Sequence, residues 1–284
     1  KVTLFDAGSE VGGQFNVAKR IPGKEEFYET LRYFQRQIDL LDIDLRLETR
    51  VEAKDLIEQG FDDVIIATGV KPRTPKIEGI DHPKVLGYLD VLRHNKPVGK
   101  SVAVIGAGGI GFDVSEFLTH DFDKHPEGEQ VSVAEWQAEW GGNPTFEGPG
   151  GLAERAQTPS PRKIYLMQRK TGKVGGGLGK TSGWVHRSSL KHRDVEMLRG
   201  CRYDRIDDQG LHITLTDKDG KTGETRVLAV DNVIICAGQE SYRELFDQLA
   251  DKGVKAHLIG GADVAEELDA KRAIRQGTEI AAAI

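Results

Sequence analysis

The stretch SVAVIGAGGIGFDVSEFL, residues 101–118, decides how the chain is read. VAVI is an uninterrupted apolar run, the composition of a strand buried on both faces. Gly106, Gly108 and Gly111 follow in G-x-G-x-x-G spacing, and GFDVSEFLTH (111–120) reads as a helix. The spacing alone is a weak signal. Between a buried strand and a helix it is the turn that takes a dinucleotide. Gly106 is expected to make the tight turn, Gly108 to let backbone N–H groups approach a pyrophosphate, and Gly111 to let helix and strand pack closely. The helix N-terminus adds the positive end of its dipole. A glycine-rich structural turn without a ligand is the alternative.

Which dinucleotide depends on the end of the next strand. An acid there, roughly 20 residues on, would hold the ribose hydroxyls. Glu135, in EQVSVAEW, lies at about the right distance. KIYLMQRK (163–170) comes later but is the more β-prone run, flanked by Pro161 and Gly172, and it ends in Arg169 and Lys170. Two cations suit a 2′-phosphate, which a guanidinium binds bidentately. NADP(H) is therefore expected, with a solvated strand end as the alternative for the pair. KVGGGLGKTSGW (173–184) resembles a P-loop, but Val174 stands where that pattern has glycine, so no ATPase is read here. This loop is expected to close over the nicotinamide half, with Lys180 or Arg187 near phosphate.

Outward from this motif, short apolar runs alternate with helical stretches. KVTLF (1–5), DLRLET (44–49), DDVIIATG (62–69), VEMLRG (195–200), LHITLTD (211–217), TRVLAV (225–230) and VDNVIICAG (230–238) read as strands. Residues 22–41 place Phe27, Leu31, Phe34, Ile38 and Leu41 at helical spacing, with Pro22 near the start. Residues 271–284 read as a closing helix. Strands alternating with helices imply an α/β protein with a parallel sheet. Residues 121–160 break the rhythm with Gly, Pro and Glu, and are expected to be a surface insertion or lid.

Composition narrows the classes. The 284 residues allow about two domains. A net charge of −6 and 7% aromatics offer neither a basic surface nor a stacking platform for nucleic acid. Cys201 and Cys236 form no CxxC pair, and no His or Cys cluster has metal spacing. No run is long enough to span a bilayer, and a reducing, cytoplasmic setting is expected. No Ser–His–Asp arrangement and no acid/base pair can be argued, so no catalytic side chain is assigned.

The wording of several segments goes further. LFDAGSEVGGQFNVAKRIPGKEEFYETLRYF (4–34), GAGGIGFDVSEFL (106–118), LGKTSGWVHR (178–187), AVDNVIICAGQE (229–240) and HLIGGADVAEELDAKRAIRQGT (257–278) together resemble the bacterial NADPH-dependent 2,4-dienoyl-CoA reductases. These belong to a wider group that includes trimethylamine and histamine dehydrogenases. The resemblance implies two Rossmann-like, glutathione-reductase-type domains. An NADPH domain (97–240) would be inserted in a partial FAD domain (1–96 and 241–284). Asp6, Gly12, Gly13, Gln14, Thr68, Gly69, Gly261 and Asp263 match the FAD-side segments, and Ala237 and Gly238, in IICAGQE (234–240), match the A-T-G-type strand–turn motif of such cofactor-binding proteins. Gly106, Gly108, Gly109, Gly111, Arg169 and Lys170 match the NADPH side. Asp263 could instead, or also, cap the last helix.

The same resemblance implies that these residues are the C-terminal part of a larger enzyme, begun after the first FAD strand and turn. A TIM barrel with FMN and a 4Fe–4S cluster would form its N-terminal part and be this chain's partner. Hydride would pass from NADPH to FAD, held between the NADPH domain and the flanking FAD segments, on the way to an unsaturated acyl-CoA. A non-catalytic NADP(H)-binding module, or another flavin oxidoreductase of the trimethylamine dehydrogenase type, is the alternative. A flavoprotein disulfide reductase would need a CxxC pair that is not in these residues.

Overall fold

The computed structural model describes residues 1–124, 126–129, 131–156, 158–217, 219–266 and 269–284. Three positions of the 121–160 segment therefore lie outside the described residues. The chain divides into two compact units. Lys1–Val11, Phe34–Arg73 and Gly238–Ile284 form the smaller; Gly12–Tyr33 and Thr74–Ala237 form the larger.

The larger unit is built on a five-stranded parallel sheet in the order Val85–Gly87, Asn232–Ile235, Ser101–Ile105, Lys163–Met167, Glu196–Leu198. Its middle strand explains the apolar run. Val102, Ala103 and Val104 are 0% exposed and Ile105 is 1%. Alternation then sorts the side chains between two layers. Val102, Val104, Ile164, Leu166 and Ile234 pack with Phe112, Val114, Leu118 and Leu190 from two helices, Gly109–Thr119 and Gly183–His192. Ala103, Ile105, Tyr165 and Met167 pack on the other face with Cys201, Ile206, Leu211, Ile213 and Leu228. Those residues belong to a three-stranded antiparallel meander, Cys201–Asp207, Gly210–Thr216 and Thr222–Leu228. Burying each large aliphatic side chain contributes roughly 1.5–3 kcal/mol.

Two of the meander's strands are visible in the sequence but not their antiparallel pairing, and CRYDRID (201–207) carries no strand signal. That strand buries Cys201 and Ile206, but its alternation is broken by a register shift at Asp204, where two charged residues stand together. The larger unit also takes in residues 74–96, since Val85–Gly87 is an edge strand of its sheet. It takes in 12–33 because Val17 and Ile21 sit in the helix-side core. The first long helix runs Glu26–Leu40, so Pro22 lies in the turn before it rather than in its first turn.

The smaller unit pairs Thr3–Phe5 with Asp44–Arg46 and Val64–Ile66 with Ala256–Leu258, both parallel. Val70–Pro72 runs antiparallel to Gln239–Ser241. Its core gathers Ala53, Leu56, Val64, Ile66, Leu249 and Ala262. The helix Ala53–Gln59 is defined at both ends, by a Glu52/Asp55 capping box and by left-handed Gly60. No described helix is long and apolar enough to cross a membrane.

The dinucleotide turn and its helix approach each other too closely for a side chain at Gly111. A Cβ on Gly111 would lie 1.7 Å from the Gly106 carbonyl oxygen, whereas one on Gly108 would meet nothing within 4 Å. Gly111→Ala is expected to destabilise the unit by about 2–3 kcal/mol, and Gly108→Ala to leave stability nearly unchanged. Urea denaturation of the two variants checks the difference.

Candidate nucleotide-binding site

The turn after the middle strand is shaped by three glycines with different surroundings. Gly106 has φ +112°, and its missing Cβ would sit 2.3 Å from the Cys236 carbonyl oxygen of the neighbouring strand. Only glycine fits there. Gly108 caps the helix Gly109–Thr119 with no side-chain hydrogen bond, and both Gly108 and Gly109 face open space. The first N–H groups of that helix have no partner within it. The arrangement is closed where helix meets strand and open where the unpaired donors point. Asp113, in the second turn, would oppose an incoming anion, but Lys24 Nζ contacts both of its carboxylate oxygens at 2.7 Å.

Lys163–Met167 lies beside the middle strand in register, Ile105 opposite Met167. Gln168, Arg169 and Lys170 therefore stand where the next strand ends, alongside the glycine turn. Arg169 and Lys170 are exposed, and no carboxylate among the described residues pairs with either. Glu135 is elsewhere. It occupies the helix Val133–Trp140 and closes a capping box with Ser132, its carboxylate accepting from the Ser132 N–H at 2.9 Å. Ser132–Trp136 is thus a helix start rather than a strand. Its Ser-x-x-Glu spacing carried that signal.

The residues after Lys170 fold back on the dinucleotide helix. Gly175 has φ +66°, and a Cβ there would be 2.6 Å from the Phe112 ring. Arg187 Nη1 donates to the Gly175 carbonyl oxygen at 3.0 Å, while Lys180 is exposed. The loop is shorter than its sequence suggested, because the helix Gly183–His192 begins inside it. Beside it lies an open groove of about 510 Å³ lined by Lys173, Val174, Trp184, Arg187, Lys191 and Met197. His186, on that helix, is pushed below the usual imidazole value by burial.

The insertion is tied to the far end of the dinucleotide helix. Arg193, 6% exposed at its side chain, donates to Glu139 Oε1 at 2.7 Å and lies 3.9 Å from Glu116 Oε1. Ser189 Oγ donates to the Glu116 carboxylate at 2.9 Å. Burial raises the Glu116 carboxyl above its usual range, against the opposing pull of Arg193. Glu139 belongs to the insertion helix and Glu116 to the dinucleotide helix, so one guanidinium joins the two.

The other sequence-derived candidates fall in both units. In the smaller, Asp6 follows Thr3–Phe5, and its carboxylate accepts from the Gly8 N–H at 2.7 Å. Thr68 Oγ1 donates to the Tyr242 carbonyl oxygen. Gly69 has φ +75° with open space at its Cβ position, and Gly238 has φ +106° beside the Arg73 guanidinium. Gly261 and Asp263 lie in the helical turn Gly260–Asp263, where Asp263 Oδ2 accepts from Gln276 Nε2 at 2.9 Å. The last helix, Ala270–Ala281, is capped by Asp269 and not by Asp263. In the larger unit, Gly12 and Gly13 have φ +133° and +49°, Gln14 caps the short helix Phe15–Ala18, and Ala237 packs against the meander-side core.

Both cysteines are buried free thiols. Burial pushes Cys201 up to about 11 and raises Cys236 as well, so neither is a ready thiolate. Among the described residues no group of His, Cys, Asp or Glu could hold a metal ion.

A family model described as pyridine nucleotide-disulphide oxidoreductase matches residues 1–272. A bilirubin reductase of Mediterraneibacter gnavus is 28% identical over 280 residues, covering 98% of this chain. A metal reductase of Desulforamulus reducens is 24% identical over 269 residues, covering 92% of this chain. The chain spans 36% and 37% of the lengths of these relatives. Among solved structures, a 2-naphthoyl-CoA reductase in complex with 2-naphthoyl-CoA superposes with a TM-score of 0.77 at 22% identity, over 100% of this chain and 36% of that one. That likeness fixes the α/β nucleotide-binding fold.

Arg193→Met would leave two half-buried carboxylates without their cation. It is expected to cost about 3 kcal/mol. Thermal unfolding checks this, with Glu139→Gln as the milder comparison.

Proposed function

This chain belongs to the pyridine nucleotide-disulphide oxidoreductase family, and from that premise we propose that it is the electron-input part of an NADPH-dependent flavin reductase of the 2,4-dienoyl-CoA reductase type. One observation carries the reading. An open glycine cradle ends one strand, and Arg169 and Lys170, which no carboxylate among the described residues pairs with, end the next. The cradle would take the pyrophosphate and the two cations a 2′-phosphate.

The residues present fit both groups. On the NADPH side, within 97–240, Gly106 turns the chain, Gly108 and Gly109 leave room for the pyrophosphate, and Gly111 keeps the helix against the strand. On the FAD side, within 1–96 and 241–284, Asp6 and Asp263 would accept from ribose and ribitol hydroxyls. Thr68, Gly69, Gly238 and Gly261 in the smaller unit, and Gly12, Gly13, Gln14 and Ala237 in the larger, are the further cofactor-binding candidates. When bound, the two cofactors supply the hydride chemistry, and the chain supplies orientation and electrostatics. No side-chain base is needed for that step. The buried thiols take no part.

The sequence likeness of segments such as LGKTSGWVHR supports the dienoyl-CoA assignment. The relatives that support a reductase carry electrons to different acceptors, so the acceptor belongs to the part of the enzyme outside these residues. A barrel with FMN and a 4Fe–4S cluster would be that partner.

Titration of the chain with NADPH and NADH, repeated on Arg169→Ala, tests the reading. The wild type is expected to prefer NADPH. The substitution should weaken NADPH about tenfold or more and leave NADH within twofold, since hydrogen bonds to charged groups contribute roughly 1.5–3 kcal/mol. A preference that survives Arg169→Ala would sink the phosphate assignment. A flavin absorbance band retained after purification with FAD supports the flavoenzyme; a colourless protein that still binds NADPH would leave a nucleotide-binding module.

A further inference from the structure

Gln168 stands between the sheet and the cation pair, and its contacts are unusual for one side chain. Its backbone is fixed on both sides: the N–H donates to the Leu198 carbonyl oxygen at 3.0 Å, and its own carbonyl oxygen accepts from the Cys201 N–H at 3.0 Å. From that anchored base the carboxamide turns onto the loop that follows. Nε2 donates to the carbonyl oxygens of Lys170 and Gly172 at 3.0 and 2.9 Å, with Lys173 at 3.4 Å. Oε1 accepts from the Gly175 N–H at 3.3 Å. The Gly200 N–H adds a second hydrogen bond to the Lys170 carbonyl oxygen at 3.0 Å.

Both amide hydrogens and one carbonyl lone pair are therefore used within the loop. Gln168 has no donor left to read a ribose hydroxyl, although it occupies the strand-end place where an acid would do so. Arg169 and Lys170 are held between these hydrogen bonds. Exposed cations on an unfixed backbone must be ordered when they grip an anion, and that ordering weakens binding. A tether that orders their backbone beforehand removes part of that cost.

We infer that Gln168 is a positioning residue that sets the preference for a 2′-phosphate by holding the backbone that carries Arg169 and Lys170. This rests on the NADP(H) reading above. Glutamate at this place could keep the bond from Gly175 but could not donate to the carbonyls, and it would set a negative charge beside the phosphate. Leucine would keep the volume and lose every bond.

The test measures dissociation constants of NADPH and NADH by fluorescence titration of the full chain, for wild type, Gln168→Leu, Gln168→Glu and Arg169→Ala, with circular dichroism to verify folding. Gln168→Leu is expected to weaken NADPH about tenfold and to leave NADH within twofold. Gln168→Glu should weaken NADPH further, and it serves as the second variant if the leucine form does not fold. An unchanged NADPH-to-NADH ratio in both variants, while Arg169→Ala collapses it, overturns the role of Gln168 and leaves the NADP(H) reading standing. Equal weakening of both nucleotides overturns it too, because that marks a merely structural residue. A wild type without preference overturns both.

Discussion

The larger unit depends on a strand that has no exposed face. Residues 102–105 are sealed between a helical layer and an antiparallel meander. A polar side chain at Val104 would be left without water or partner, at a cost of several kcal/mol for a carboxylate. Because both faces are taken, the only free part of this strand is its end. The chain must turn there without side chains, and the turn leaves unpaired N–H groups facing outward. The site follows from the burial: the same packing that hides the strand exposes its terminus.

Much of this was legible in the residues. The buried strand, the three glycines and the helix after them could be placed because periodicity and glycine spacing act over short distances. The strand Lys163–Met167 could be found through its β-branched and aromatic content, despite the long insertion before it. The meander was harder. A strand such as CRYDRID has its alternation broken by a register shift, and its partner strand decides the pairing. Helix Gly183–His192 was hidden because it starts at Ser182 and Gly183, residues that also mark loops. Gln168 left no sequence signal beyond its position, since what distinguishes it is the set of loop carbonyls that its amide reaches.

Charge is arranged to keep the front of the dinucleotide helix positive and its rear fixed. Lys24 neutralises Asp113 near the front, and Arg193 holds Glu116 near the rear together with Glu139 of the insertion. The first pairing is half-exposed and worth little to stability. The second is buried and is costly to break. The insertion is thereby fastened to the framework through this charged contact, beside the ring packing of Phe122 on Phe117 and of Trp140 against His192. Its sequence can be polar and glycine-rich and still hold a fixed attachment.

The glycines of a single fingerprint answer to different selective pressures. Positions 106 and 111 are glycine because any other residue would collide with backbone, whatever the protein does. Position 108 is sterically free. A descendant that gave up its nucleotide would go on needing the first two and would let the third drift. On the proposed reading, the middle glycine is therefore the one among relatives whose loss would date the end of cofactor use.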